Sequence, residues 1–166
     1  MFGSSIIGKW NGFTLKIDYE NIVNKGISGL HTKELLSNKV TDILSMETSP
    51  NYLIFCCGTN DVVSNVNSLE IAYNLQKFLH KLPKLFPNTT IIVLSLLKSP
   101  KLVEYGKTNQ IDYINTTLRT LCKKNVNMAF INVNLLLDEK SYLKDGLHLS
   151  KFGYKKINNK IMDLIL

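Results

Sequence analysis

Tyr52-Leu53-Ile54-Phe55-Cys56-Cys57-Gly58-Thr59-Asn60-Asp61 is the stretch that decides the fold class. An apolar run with no polar alternation describes a strand buried on both faces, and Gly58 turns it into a polar loop. Working outward, Thr90-Ile91-Ile92-Val93-Leu94-Ser95-Leu96 and Met128-Ala129-Phe130-Ile131-Asn132-Val133 repeat the pattern. Glu20-Asn21-Ile22-Val23-Asn24 is a shorter strand candidate running into a loop with Gly26 and Gly29. Between these runs the period changes to that of a helix. Residues 32 to 46 space Leu35, Leu36, Val40, Ile43 and Leu44 along one face. Residues 68 to 82 do the same with Leu69, Ala72, Tyr73, Gln76, Leu79 and Leu82, closed by Pro83 and Pro87. Ile111, Ile114, Leu118, Leu121 and Cys122 line a third helix, and Ile157, Ile161, Leu164 and Ile165 a terminal one with Ser150 as its N-cap. Leu97 to Lys107, with Pro100 and Gly106 and no period, reads as a loop. Strands alternating with helices predict a mostly parallel sheet with helices on both faces.

Composition narrows the function class. The chain has 166 residues, 45% hydrophobic and 20% charged, the balance of one globular domain spanning 1–166. A net charge of +7 admits anionic partners, but the lysines are dispersed and no basic block is interleaved with aromatics. Nucleic-acid binding is therefore not expected. Three cysteines without metal-ligand spacing argue against a disulfide framework or a zinc site and read as small buried residues. No apolar stretch is long enough to span a bilayer and no signal peptide is visible, which points to the cytoplasm.

Four punctuated segments carry the candidate chemistry. Gly3-Ser4-Ser5 offers a serine in a glycine turn, which is either an exposed nucleophile or a helix cap. Asp145-Gly146-Leu147-His148 places a carboxylate where it can fix the tautomer of an imidazole; its alternative is an Asx turn followed by a structural histidine. Asn60 supplies an amide for an oxyanion or a turn-former, and Asp61 reads as a capping residue rather than an acid. Gly26 and Gly29 allow a backbone N–H to face a pocket without an intervening Cβ. His31 is read at a helix start, His80 on a solvated surface, and Trp10 as a core or loop anchor.

In order, Phe2-Gly3-Ser4-Ser5, Asn24-Lys25-Gly26-Ile27-Ser28-Gly29, Gly58-Thr59-Asn60-Asp61 and Asp145 to Tyr154 resemble the four signature blocks of the SGNH (GDSL-type) hydrolases. The resemblance runs from residue 2 to about residue 154 and implies a flavodoxin-like three-layer α/β/α domain. It implies Ser5 as nucleophile, His148 as base and Asp145 as the acid that orients it. Ser5 N–H, Gly29 N–H and the Asn60 side chain would form the oxyanion hole, with no metal or organic cofactor. Ser4 stands where the family has aspartate, and Leu30 where many members are polar. Only Met1 and Phe2 precede the block, so the strand leading into it is either very short or missing a preceding segment. The expected substrate is a small acyl ester, such as O-acetyl on a carbohydrate. A lysophospholipase or thioesterase, with Leu96, Leu97, Leu102 and Val103 lining an acyl groove, is the enzymatic alternative. The rival from another class is a non-catalytic module of this fold, holding a phosphate in the Gly-Ser loop or a glycan.

Overall fold

A computed structural model describes residues 1–10, 22–45 and 49–165. Five strands form one parallel sheet: β1 (Phe2–Gly3), β2 (Lys25–Gly26), β3 (Tyr52–Cys56), β4 (Thr90–Leu94) and β5 (Met128–Ile131). Their spatial order is β2-β1-β3-β4-β5, the flavodoxin-like order in which the chain first winds one way from β1 and then the other. β1 therefore lies at the switch point, with Phe2 in register with Lys25 on one side and Phe55 on the other, and Gly3 with Gly26 and Cys56. The strand before the glycine-serine block is present and is two residues long.

Strand alternation divides the core into two layers. Leu53, Phe55 and Cys57, with Ile91 and Val93, face a layer that includes α2 (Asn38–Leu44), α4 (Ser68–Leu85) and α6 (Thr108–Lys123). Ile54, Cys56, Ile92 and Leu94 face the other, which includes α1 (Ser5–Gly8) and α7 (Lys151–Ile165). Both faces are dry, which is why these strands read as unbroken apolar runs. The short helices α3 (Thr59–Val63) and α5 (Pro100–Glu104) follow β3 and β4 at their carboxyl ends.

Several expectations change in detail. Within Glu20–Asn24, residues 20 and 21 lie outside the described residues, and 22–24 are not strand; β2 begins at Lys25. The helix expected over 32–46 splits into a 3-10 turn (Thr32–Leu36) and α2, because the extended Ser37 caps a new start by accepting from the Val40 N–H; residue 46 lies outside the described residues. α4 continues through Pro83 to Leu85, since a proline in the last turn leaves the following Phe86-to-Leu82 bond intact. The expected loop after β4 contains α5, nucleated by Pro100 in its first turn. β4 and β5 stop at Leu94 and Ile131, earlier than the apolar runs do. In α7, Ile157 and Ile161 are buried but Leu164 is half exposed. Ser150 does cap α7, accepting from Gly153 N–H at 3.3 Å. All three cysteines are buried thiols, and burial pushes Cys56 up to about 12 and Cys122 to about 11. Among the described residues no helix is long and apolar enough to cross a membrane.

Candidate active site

Parallel register sets the carboxyl ends of β1, β2 and β3 side by side, so the segments that follow them share one edge of the sheet. Ser5 opens α1 immediately after β1. Ser4, in extended conformation, is its N-cap, and the Ser4 N–H donates to the Cys56 carbonyl at 2.9 Å. The Ser4 and Ser5 carbonyls accept the bonds that close the turn, from Ile7, Gly8 and Lys9. Neither the Ser5 nor the Gly29 N–H is engaged within the described residues, which leaves both donors available.

Gly26 departs from the purpose expected of it, because its N–H donates to Asn24 Oδ1 at 2.9 Å. A Cβ on Gly26 would stand 2.2 Å from the Gly8 backbone nitrogen, so the glycine lets β2 touch α1. Gly29 has open space where a Cβ would go; what it requires is its φ of +82°. One residue on, Leu30 is buried in the core, and its carbonyl accepts from Asn60 Nδ2 at 2.9 Å. That bond uses one amide hydrogen of Asn60 and leaves the second to point elsewhere.

Asp145 and His148 meet, and the two readings of their motif turn out to be one structure. Asp145 Oδ1 accepts from the Leu147 and His148 backbone N–H groups at 2.9 Å each, an Asx turn. Asp145 Oδ2 accepts from His148 Nδ1 at 2.7 Å. These contacts, led by the His148 backbone N–H, hold the Asp145 carboxyl well below its ordinary value despite some desolvation. With Nδ1 donating, Nε2 is the ring nitrogen left for other chemistry. The loop itself is braced: Tyr142 bridges Leu149, Leu143 N–H donates to the His148 carbonyl, and Lys101 N–H at α5 donates to the Gly146 carbonyl.

Two residues that sequence reasoning treated lightly hold these parts. Tyr154, the last residue of the fourth block, donates its hydroxyl to the Ile6 carbonyl at 2.8 Å, tying α7 to the helix that starts at Ser5. Burial raises that phenol beyond its ordinary range, so it stays a donor. Its ring lies 5.4 Å from Trp10, which is buried as a core anchor. Asp61 is buried and accepts from Thr32 N–H and Oγ1, a capping role made across the fold rather than within α3. Thr32 and Asn74 carried no signal beyond being polar residues near apolar ones.

His31 does start the 3-10 turn, and His80 is exposed, its Nδ1 2.7 Å from the Gln76 carbonyl oxygen. The acyl-groove candidates Leu96, Leu97 and Leu102 are instead core residues, leaving only Val103 half exposed. Asn115 fixes Leu96 by bonding both its N–H and its carbonyl. Among the described residues no cluster of three His, Cys, Asp or Glu side chains is placed to hold a metal ion.

Comparison with known proteins places this geometry. The model of the GDSL-like lipase/acylhydrolase family matches residues 7–156, taking in Gly29, Asn60, Asp145 and His148 and starting two residues after Ser5. A Streptococcus pneumoniae structure named as a platelet activating factor is similar, with a TM-score of 0.84 and 27% identity over 99% of this chain and 82% of its own. A Clostridium thermocellum family 3 carbohydrate esterase has a TM-score of 0.68 and 25% identity over 84% and 67% of the two chains. The Escherichia coli O18:K1:H7 N-acylneuraminate cytidylyltransferase is 27% identical across 99% of this chain, which spans 39% of that protein's length.

Proposed function

We propose that the chain, which belongs to the GDSL-like lipase/acylhydrolase family, is an ester-hydrolysing serine hydrolase that cleaves a small acyl ester through Ser5, His148 and Asp145. The observation that carries this reading is the 2.7 Å bond from His148 Nδ1 to Asp145, which fixes the tautomer with Nε2 free. His148 Nε2 takes the Ser5 proton as Oγ attacks the ester carbonyl. The tetrahedral oxyanion is held by Ser5 N–H, Gly29 N–H and Asn60 Nδ2, donors not otherwise used up by the fold. His148 then protonates the leaving alcohol, and water releases the acyl group from Ser5 by the same route. Every step uses this chain's own groups and water, within one SGNH-hydrolase-like domain spanning residues 1–166.

An O-acetyl group on a carbohydrate is the substrate class we favour. The leucines that would have lined an acyl groove are packed into the core, and a structural relative is a carbohydrate esterase. The E. coli relative is named for an N-acylneuraminate, so an acetylated sugar acid is a further test substrate, while its cytidylyltransferase activity is not carried over to a chain spanning 39% of its length. The platelet-activating-factor name of the pneumococcal structure keeps a phospholipid ester as the second reading.

The test is a fluorophosphonate probe followed by esters of increasing acyl length on sugar and lipid alcohols. Wild type is labelled and Ser5→Ala is not, with turnover greatest on acetyl esters. Labelling of a folded Ser5→Ala protein sinks the nucleophile assignment. Absence of labelling in wild type favours the binding module.

A further inference from the structure

Asn60 and Asp61 are adjacent in α3, and both reach back to the segment that follows β2. Asn60 Nδ2 donates to the Leu30 carbonyl at 2.9 Å, and Cys57 Sγ lies 3.7 Å from the same oxygen. Two residues further along, Thr32 donates to the Asp61 carboxylate from its N–H at 3.0 and 3.1 Å and from Oγ1 at 2.8 Å. Asn74 of α4 donates to Thr32 Oγ1 at 3.3 Å, and His31 Nδ1 stands 3.6 Å from Asp61 Oδ1. Thr32 is fully buried, Asp61 is 2% exposed and Asn74 8%.

A carboxylate is costly to bury unless its oxygens are satisfied, and here they are satisfied by one residue of one neighbouring segment. The 3-10 turn at Thr32 begins with unpaired N–H groups, so the carboxylate also caps it. The result is two clasps between the same two pieces of chain. One contains the oxyanion donor Asn60 itself; the other sits one residue beyond it. Between the strand β2 and the clasps lies Gly29, at its positive φ, with the other free N–H.

We infer that the Asp61–Thr32 clasp is a positioning device for the oxyanion hole, setting the separation of the Gly29 N–H from the Asn60 amide. The inference rests on the catalytic reading above, in which both groups bind the oxyanion. Donors must stand about 2.7–3.1 Å from the developing charge, and supporting groups have to hold them to within about 0.5 Å. The bonds from Asn60 and Cys57 alone cannot do this, because they meet at one atom, the Leu30 carbonyl oxygen, about which the 29–32 segment can pivot. The Asp61 clasp adds a second, charged anchor and removes that freedom. Asp61 touches no substrate and acts only through its neighbours.

The experiment compares Asp61→Asn, Thr32→Val, Thr32→Ser, Asn60→Ala and the Asn60→Ala/Asp61→Asn double variant, using p-nitrophenyl acetate and thermal melts. Asp61→Asn and Thr32→Val are expected to lower kcat about ten-fold or more with KM changed less than about two-fold, since the hole is filled only in the transition state. Thr32→Ser, which restores the hydroxyl, returns kcat to within about three-fold of wild type. Asp61→Asn costs less in the Asn60→Ala background than in wild type, because one of the two donors whose separation the clasp sets is already gone. A purely structural Asp61 gives the opposite pattern: Thr32→Ser and Thr32→Val track melting temperature alone, and the losses at residues 60 and 61 multiply. Either that pattern or a normal kcat in Asp61→Asn overturns the inference. If Asp61→Asn does not fold, the Thr32 pair decides by the same kcat criterion. Full kcat in Asn60→Ala instead removes the oxyanion reading and this inference with it, whereas a slowed Asn60→Ala beside a normal Asp61→Asn removes this inference alone.

Discussion

Tyr154→Phe deletes one oxygen atom and tests whether the last helix holds the first. The ring keeps its place against Trp10, 5.4 Å away, so packing is retained and only the bond to Ile6 is lost. Both ends are buried, Ile6 at 1% exposure and Tyr154 at 7%. A neutral hydrogen bond contributes about 1 kcal/mol net, and a buried acceptor left without its partner costs about 1–3 kcal/mol. For a chain of this size each kcal/mol is about 2–4 °C, so Tm should fall by roughly 2–12 °C. Function should fall further than stability alone explains, because Ile6 follows the proposed nucleophile and the α1 start would gain freedom. The assays are a thermal melt and the kcat of the folded variant well below its Tm. Trp10 is the only tryptophan in the chain, so its emission reports whether the ring packing survives. A Tm within about 1 °C of wild type, with unchanged Trp10 emission, refutes the tether.

Gly26→Ala places a methyl 2.2 Å from the Gly8 nitrogen, against the backbone of Ile7 and Gly8; it should destabilise the fold severely, and a melt within about 2 °C of wild type would refute that close approach. Asn60→Ala should lower kcat by about 10²–10³ with a much smaller change in KM, and an unchanged kcat would leave Asn60 a turn residue. Asp145→Asn should slow turnover strongly while fluorophosphonate labelling of Ser5 persists at a reduced rate; near-wild-type activity would leave a Ser5–His148 dyad. The same variant carries a pH prediction. A carboxyl whose folded pKa is depressed contributes stability that is present above its unfolded value, near 3.8, and is lost as pH falls through the folded one. The stability gap between wild type and Asp145→Asn, measured by denaturant titration, should therefore shrink as pH drops below 3.8, and a gap that widens there would contradict the bonds seen at Asp145.

The sequence made the architecture legible wherever burial was two-sided. The runs at Tyr52, Thr90 and Met128 are strands because both faces of the sheet are covered, and no other element shows so plain a pattern. Elements decided by local capping were harder to see. Ser37 divides one apolar period into a 3-10 turn and a helix, and Pro100 starts α5 inside a stretch without period. β2 was misplaced because a two-residue strand has no pattern of its own; it exists through its register with β1. At the candidate site, the residues proposed to bear the chemistry could be named from their motifs, since Asp145 and His148 are close in sequence and meet in space. The residues that position them could not. Thr32 reaches Asp61 across 29 residues and Asn74 reaches Thr32 across 42, and nothing local marks a threonine that will lie beneath a carboxylate.

Strand β1 is held by contacts made far along the chain. Two residues cannot form a ladder alone, so Phe2 and Gly3 wait for Phe55 and Cys56, translated some fifty positions later. The carbonyl of Ile6 waits longer still, for a hydroxyl 148 residues away. Contacts so distant along the chain are paid for in loop closure before they return anything, and they form late. Until those contacts form, the proposed nucleophile is an ordinary serine on an unanchored segment. It gains its hydrogen-bonded seat at β3 and its lock from α7 in separate events. The proposed cleavage depends in this way on the docking of α7, and a chain without Tyr154 carries the serine without the tether that holds its helix.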